Sequence, residues 1–183
     1  RTEAKSLAAS KHTSDRNMKL IDNNRKVRAA GVSVKGLKKT RGHDGNVWSC
    51  SVYLNGVKIG GVQEDVNGAG LWVNISPESQ DNFVTALKGV EYPVNDLAFE
   101  ELGMTCPEDN RGYIEWVLPK IVNELEALKA LKKKCKTRTL YQLKTDPDDA
   151  HWFITQPFTA EVKAALLAEY DVKLFLNEAL EEF

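Results

Sequence analysis

The stretch from Asn46 to Val62, NVWSCSVYLNGVKIGGV, leaves this chain few choices of local structure. Trp48, Cys50, Val52 and Leu54 alternate with Val47, Ser49, Ser51 and Tyr53, the period of a half-buried strand. Asn55-Gly56 follows, the dipeptide best able to supply the two positive φ values of a type I′ hairpin turn. Val57 and Ile59 resume the apolar face on the return strand. Closing the turn predicts Leu54 opposite Val57 and Val52 opposite Ile59, pairs that interlock across a sheet. A hairpin is scaffold, however, and names no chemistry.

The flanking residues extend it. Val32 and Val34 start a strand running toward Lys39, and Arg41–Gly45 forms a turn. Gly60-Gly61 marks a bulge in the return strand, Asn67–Gly70 turns again, and Leu71, Val73 and Ile75 alternate. These segments predict a three- or four-stranded antiparallel meander, with the Arg41–Gly45 and Asn67–Gly70 turns on one shared edge. Ser76-Pro77 then reads as an N-cap and first helical position, with Phe83, Leu87 and Val90 forming a core-facing stripe. The connector over 91–106 carries Leu97, Phe99 and Leu102, too apolar to be left in water. Thr105-Cys106-Pro107-Glu108 reads as the start of the longest helix, whose apolar series runs from Ile114 to Leu131. Pro119 is expected to kink it or to begin its second part. Thr139–Leu143 and His151–Ile154 predict strands around the acidic turn Asp146–Asp149. Thr159 caps a helix running to about Tyr170, and Val172, Leu174 and Leu176 alternate in a last strand.

The fold class expected is α+β, with an antiparallel β-meander, a central kinked helix and a C-terminal β-β-α-β unit. Residues 1–30 are set apart as a basic arm, partly mobile, before a single domain over 31–183. That domain joins meander plus helix (31–106) to helix plus β-β-α-β (107–183). The 183 residues, 42% hydrophobic and 28% charged, suffice for a real core. No apolar run approaches the roughly 20 residues that cross a bilayer, and no leader pattern argues for secretion. Cys50, Cys106 and Cys135, odd in number and widely spaced, point to a reducing cytoplasm rather than to disulfides.

Charge carries the functional signal. Residues 1–42 hold twelve Lys/Arg against three Asp/Glu, net +9, while 43–183 hold thirteen against twenty-three, net −10. The first cluster of interest is Arg25, Lys26, Arg28, Lys38, Lys39 and Arg41. A second gathers Lys132, Lys133, Lys134, Lys136 and Arg138. Such clusters track phosphate backbones, and equally make solvated helix ends and arms. No aromatic interleaves the leading charges, so base stacking is not expected within the arm.

Catalytic signals are thin. His43-Asp44 beside Arg41 brings imidazole, carboxylate and guanidinium together, but adjacent residues seldom point at one another, and the spacing fits no hydrolase signature. His12, His43 and His151 lie in no metal-ligand frame, so neither metal nor cofactor is expected. Cys106 at a helix N-terminus would be a lowered thiol, opposed by Glu108 and Asp109. Asn67–Gly70 lacks the lysine and spacing of a phosphate cradle. Trp48, Trp72, Trp116 and Trp152 could line a ligand face, but are read as core.

The motifs GHDG (42–45), YLNG (53–56), DVNG (65–68), the lysine-rich helix end and TLYQL (139–143) resemble small proteins encoded by bacteriophages and prophages. The likeness covers residues 31–180 and implies no activity or catalytic residue. It does imply an accessory factor that binds, inhibits or sequesters a host component. The reading favoured is a non-enzymatic intracellular binding protein, a phage accessory or counter-defence factor, whose partner is an anionic nucleic acid or nucleotide. Two alternatives stand beside it. One is a protein–protein inhibitor meeting a host protein through the acidic body; the other is a phosphodiester or nucleotide hydrolase using His43 and Asp44.

Overall fold

A computed structural model of the chain describes residues 10–13, 17–41, 46–65, 70–94, 103–146, 150–181 and 183. The fold is α+β. In chain order the elements are β1 (Ser10–Thr13), α1 (Asn17–Ala29), β2 (Val32–Arg41), β3 (Asn46–Leu54), β4 (Val57–Glu64), β5 (Leu71–Ile75) and α2 (Pro77–Gly89). There follow α3 (Asn110–Cys135), β6 (Thr139–Leu143), β7 (Ala150–Ile154), α4 (Ala160–Glu169), β8 (Val172–Phe175) and α5 (Leu176–Ala179). The chain divides into two compact units, Asn23–Glu124 and Arg1–Asp22 with Leu125–Phe183. This differs from the expected split into an arm and one domain. Asn17–Ala29 is a helix, not an arm, because Leu20, Ile21, Val27 and Ala30 recur at helical spacing and are all buried.

The Asn23–Glu124 unit is built on the meander, a sheet in the order β2-β3-β4-β5 with every neighbouring pair antiparallel. The hairpin turn is as the sequence predicts, with Asn55 at φ 50° and Gly56 at φ 81° and Leu54 opposite Val57. Val52, however, faces Gly60 rather than Ile59, because the register shifts by one residue between Val52 and Tyr53 and leaves Ile59 as the extra residue of a bulge. Only glycine fits there: a Cβ at Gly60 would collide with the Asn74 carbonyl oxygen of β5.

Val32, Cys50, Val52, Val62 and Ile75 are buried, as are Phe83, Val84 and Leu87 of α2, which lies against β2. Ser76 caps α2 by accepting a hydrogen bond from the Ser79 N–H, with Pro77 in the first turn. Helix α3 starts later than Thr105–Glu108. Its cap is Asp109, whose Oδ1 accepts from the Gly112 N–H at 2.8 Å, so the shorter polar loop before it stays outside the helix. Pro119 lies within the continuous helix, where it cannot donate to the carbonyl four residues earlier. Near the end of this unit's share of α3, Glu124 accepts from Asn23 Nδ2 at 2.7 Å and from the Tyr92 hydroxyl at 2.8 Å, with Lys120 Nζ at 3.9 Å. Both carboxylate oxygens of this half-buried group are thereby engaged.

The other unit has its own antiparallel sheet, in the order β1-β7-β6-β8. Residues 10–13, expected to be mobile, pair with β7 from Ser10 opposite Phe153 to Thr13 opposite Ala150. The β6-β7-α4-β8 succession is the predicted β-β-α-β unit, except that Leu176 opens α5 instead of closing β8. One core cluster gathers Leu20, Ile21, Leu128, Leu131, Leu140, Leu176 and Leu180. Another gathers Tyr141, Ile154, Leu166 and Phe175, with the Phe158 and Phe175 rings 5.2 Å apart. Asp146, within the predicted acidic turn, accepts from the Leu143 N–H and from Trp152 Nε1.

Buried Asn177 ties the connection between α3 and β6. Its Oδ1 accepts from the Leu140 N–H at 2.8 Å, and its Nδ2 donates to the carbonyls of Cys135 (3.0 Å) and Arg138 (2.9 Å). Replacing it by alanine strands three backbone groups, so Asn177→Ala is expected to lower stability by about 2–3 kcal/mol in urea titration, against well under 1 kcal/mol for the exposed Glu181→Ala.

Candidate nucleic-acid interface

Strand β2, VSVKGLKKTR, is an edge strand with four cations and no carboxylate. Lysines on an edge keep it from pairing with another chain, and also offer a line of charge to a polyanion. Which way they project is fixed by register. Lys35 pairs with Ser51 and Lys38 with Ser49, so two residues on β2, Gly36 and Leu37, match the single Cys50 on β3. Side chains alternate along a strand, and a regular β2 would send Lys35 and Lys38 to opposite faces. The extra residue restores them to one face. Gly36, at φ 66°, supplies the left-handed backbone that this bulge needs.

Most of that face is the solvent side of the sheet, although Val47, which shares it opposite Thr40, is buried. Three cross-strand rows can be read from the register: Ser33, Tyr53 and Lys58; Lys35, Ser51, Gly61 and Asn74; Lys38, Ser49, Gln63 and Trp72. None of these residues is buried. The ammonium of Lys35 stands over the Tyr53 ring, 4.6 Å from its centroid, as expected for diagonal neighbours on one face. Trp72, read from sequence as core, is 67% exposed on the edge strand β5. Trp116 and Trp152 are half-buried and donate their indole N–H groups to the Val94 carbonyl and to Asp146.

The sequence-selected cations fall in both units. In Asn23–Glu124, Lys38 lies on the open face, while Lys39 and Arg41, at alternate positions opposite Trp48 and Asn46, project from the other side of β2 and are exposed. Arg25 and Arg28 are exposed on α1, and Lys26 is half-buried and donates to the Glu91 carbonyl at 2.9 Å. Lys26 and Arg28 occupy the last turn of α1, where cations meet the negative end of the helix dipole. In the other unit, Lys132, Lys133 and Lys134 do the same for α3, and Lys136 is exposed just beyond. Arg138 is half-buried with its guanidinium 4.9 Å from the Phe153 ring centroid. The clusters therefore have structural employment that composition alone does not show.

Lys35, Tyr53, Lys58, Gln63 and Trp72 were not singled out as site residues. Their grouping depends on register, and Gly36 was the one local sign of the bulge that creates it. His43 and Asp44 lie outside the described residues, as do Leu97, Phe99 and Leu102 and most of both turns. The flanking pairs Arg41–Asn46 and Glu64–Leu71 do close the same end of the sheet.

Among the described residues, no group of three or more His, Cys, Asp or Glu is placed to hold a metal ion. No helix among them is long and apolar enough to cross a membrane. All three cysteines are free. Burial pushes the Cys50 and Cys135 thiols up to about 11. Cys106 lies outside α3, so no helix terminus lowers it; burial raises its thiol, with Lys88 pulling the other way. Comparison of the chain with family models, curated proteins and solved structures found no match.

Two measurements check this geometry. Gly36→Val places a β-branched side chain in left-handed backbone, with open space around it, and should cost about 1–2 kcal/mol on thermal or urea unfolding; Gly36→Asn should cost less. At pH 8, a thiol reagent should modify Cys106 before Cys50 or Cys135, since a group titrating at about 11 is thiolate in only about one molecule per thousand; peptide mapping of the first adduct reads the order.

Proposed function

We propose that this protein acts by binding rather than by catalysis, and that its partner is an anion, a nucleic acid or a nucleotide. The setting is that of a small phage accessory or counter-defence factor working inside the host cell. One observation carries the reading: β2 presents Lys35, Lys38, Lys39 and Arg41, all exposed, along ten residues that contain no carboxylate. Cations on both sides of an edge strand attract a phosphate backbone by Coulomb force and by release of its condensed counterions. The strand is rigidly paired to β3 over eight positions, so little conformational freedom is lost in presenting them.

Electrophoretic shift of labelled DNA and RNA at low and moderate salt tests this. Binding should weaken steeply with salt, by a slope of about 0.9 in log K per phosphate contact. The triple variant Lys38→Glu, Lys39→Glu, Arg41→Glu should lose at least about tenfold in affinity at low salt and flatten the slope by about 2–3. All three side chains are exposed, so the unfolding midpoint should stay close to that of the unmodified chain. No shift at low salt with any nucleic acid would sink the reading. Loss of binding only on reversing Lys132, Lys133 and Lys134 would move it to the other unit.

A further inference from the structure

We propose that the open face of the β2-β3-β4-β5 sheet is a stacking platform for single-stranded nucleic acid. Trp72 receives a base, and Lys35, Lys38 and Lys58 receive phosphates. This deepens the polyanion reading above and rests on it, but names a different surface and a different chemistry from charge alone.

Trp72 is the first reason. An indole that is 67% exposed forgoes burial worth about 2–3 kcal/mol, and on an edge strand it invites association with other chains. Such a residue is explained when a flat partner covers it. Its neighbours supply what a nucleic acid strand needs. In its row, Gln63 and Ser49 offer donors and acceptors suited to base edges, and Lys38 closes the row on the far strand. Four strands at about 4.8 Å spacing place Lys38 roughly 14 Å from Trp72, a span covering a base together with its backbone. The next row has Gly61 at its centre, with no side chain to lift a ring off the sheet, between Asn74 and Lys35. The third row sets Tyr53 beside Lys58, with Lys35 already over its ring.

Charge is the second reason. The paired strand residues of this face include three lysines and no carboxylate, although the chain as a whole is at −1. The chemistry that satisfies flat aromatics, amides and hydroxyls, and lysines together is an unpaired base on a phosphate chain. In a duplex the bases are stacked on one another and their faces are closed to the indole.

The experiment is fluorescence anisotropy with the full chain and four probes: labelled oligothymidylate, oligouridylate, a mixed-sequence duplex, and heparin as a polyanion without bases. The single strands should bind more tightly than the duplex, and the two homopolymers separate DNA from RNA as the source. Trp72→Ala should weaken single-strand binding about 10- to 100-fold while changing heparin binding by less than about twofold, and Trp72→Phe should restore most of the loss. An unchanged thermal melt of Trp72→Ala, expected for so exposed a side chain, ties any loss to the surface. If Trp72→Ala binds single strands like the unmodified chain while the β2 charge variant does not, stacking is overturned and the polyanion reading survives. A preference for duplex overturns stacking in the same way. Failure of every probe to bind at low salt removes both.

Discussion

Between Lys35 and Lys38 the chain spends two residues of β2 against one of β3, and the chemistry of the meander's open face depends on that excess. In a structure whose side chains alternate, a single inserted residue exchanges the two faces of everything beyond it. Without the bulge at Gly36, Lys38 and Thr40 would turn toward the buried side, and Lys39 and Arg41 would take their place. The second irregularity, at Ile59, works on the hairpin's other arm. It sets Lys58 beside Tyr53 on the open face while keeping Val62 opposite Cys50 on the buried one. The collision that any Cβ at Gly60 would meet makes this register hard to shift. The two bulges thus fix which residues face solvent before any partner is considered.

Elsewhere, polar side chains take on work that apolar packing does not do. Glu124 is held on both oxygens by Asn23 and Tyr92, and Asn177 supplies three backbone partners at the join of α3 and β6. Each substitutes for hydrogen bonds that water would otherwise make, so each is tolerable only because it is almost fully satisfied. The same logic separates the tryptophans. Trp116 and Trp152 keep their N–H groups bonded inside the structure, whereas Trp72 leaves its ring in solvent on a sheet edge.

Much of the architecture was legible because its signals are local. Asn55-Gly56, the Ser76-Pro77 cap, the Thr159 cap and the alternation of Thr139–Leu143 each depend on residues within one or two turns, and each element stands where those residues put it. Asp109 was missed as the cap of α3 because Thr105 with Glu108 imitates a capping box, and only the observed hydrogen bond to Gly112 separates them. The residues of α1 were harder to read for a related reason. Their high charge outweighed Leu20, Ile21 and Val27, yet three well-placed apolar residues suffice to dock a helix when other elements provide the surface.

By itself the sequence determined the α+β class, the hairpin turn and the basic character of β2, since turn preference, side-chain period and charge are properties of neighbours along the chain. Tertiary structure alone decided that Ser10–Thr13 would complete a sheet with β7, that Ile59 would be the odd residue, and that Trp72 would face water. Those outcomes turn on which strand lies beside which, and on where the last sheet edge falls. They are fixed by contacts between residues far apart in the chain, and alternation reads the same on an open face as on a covered one.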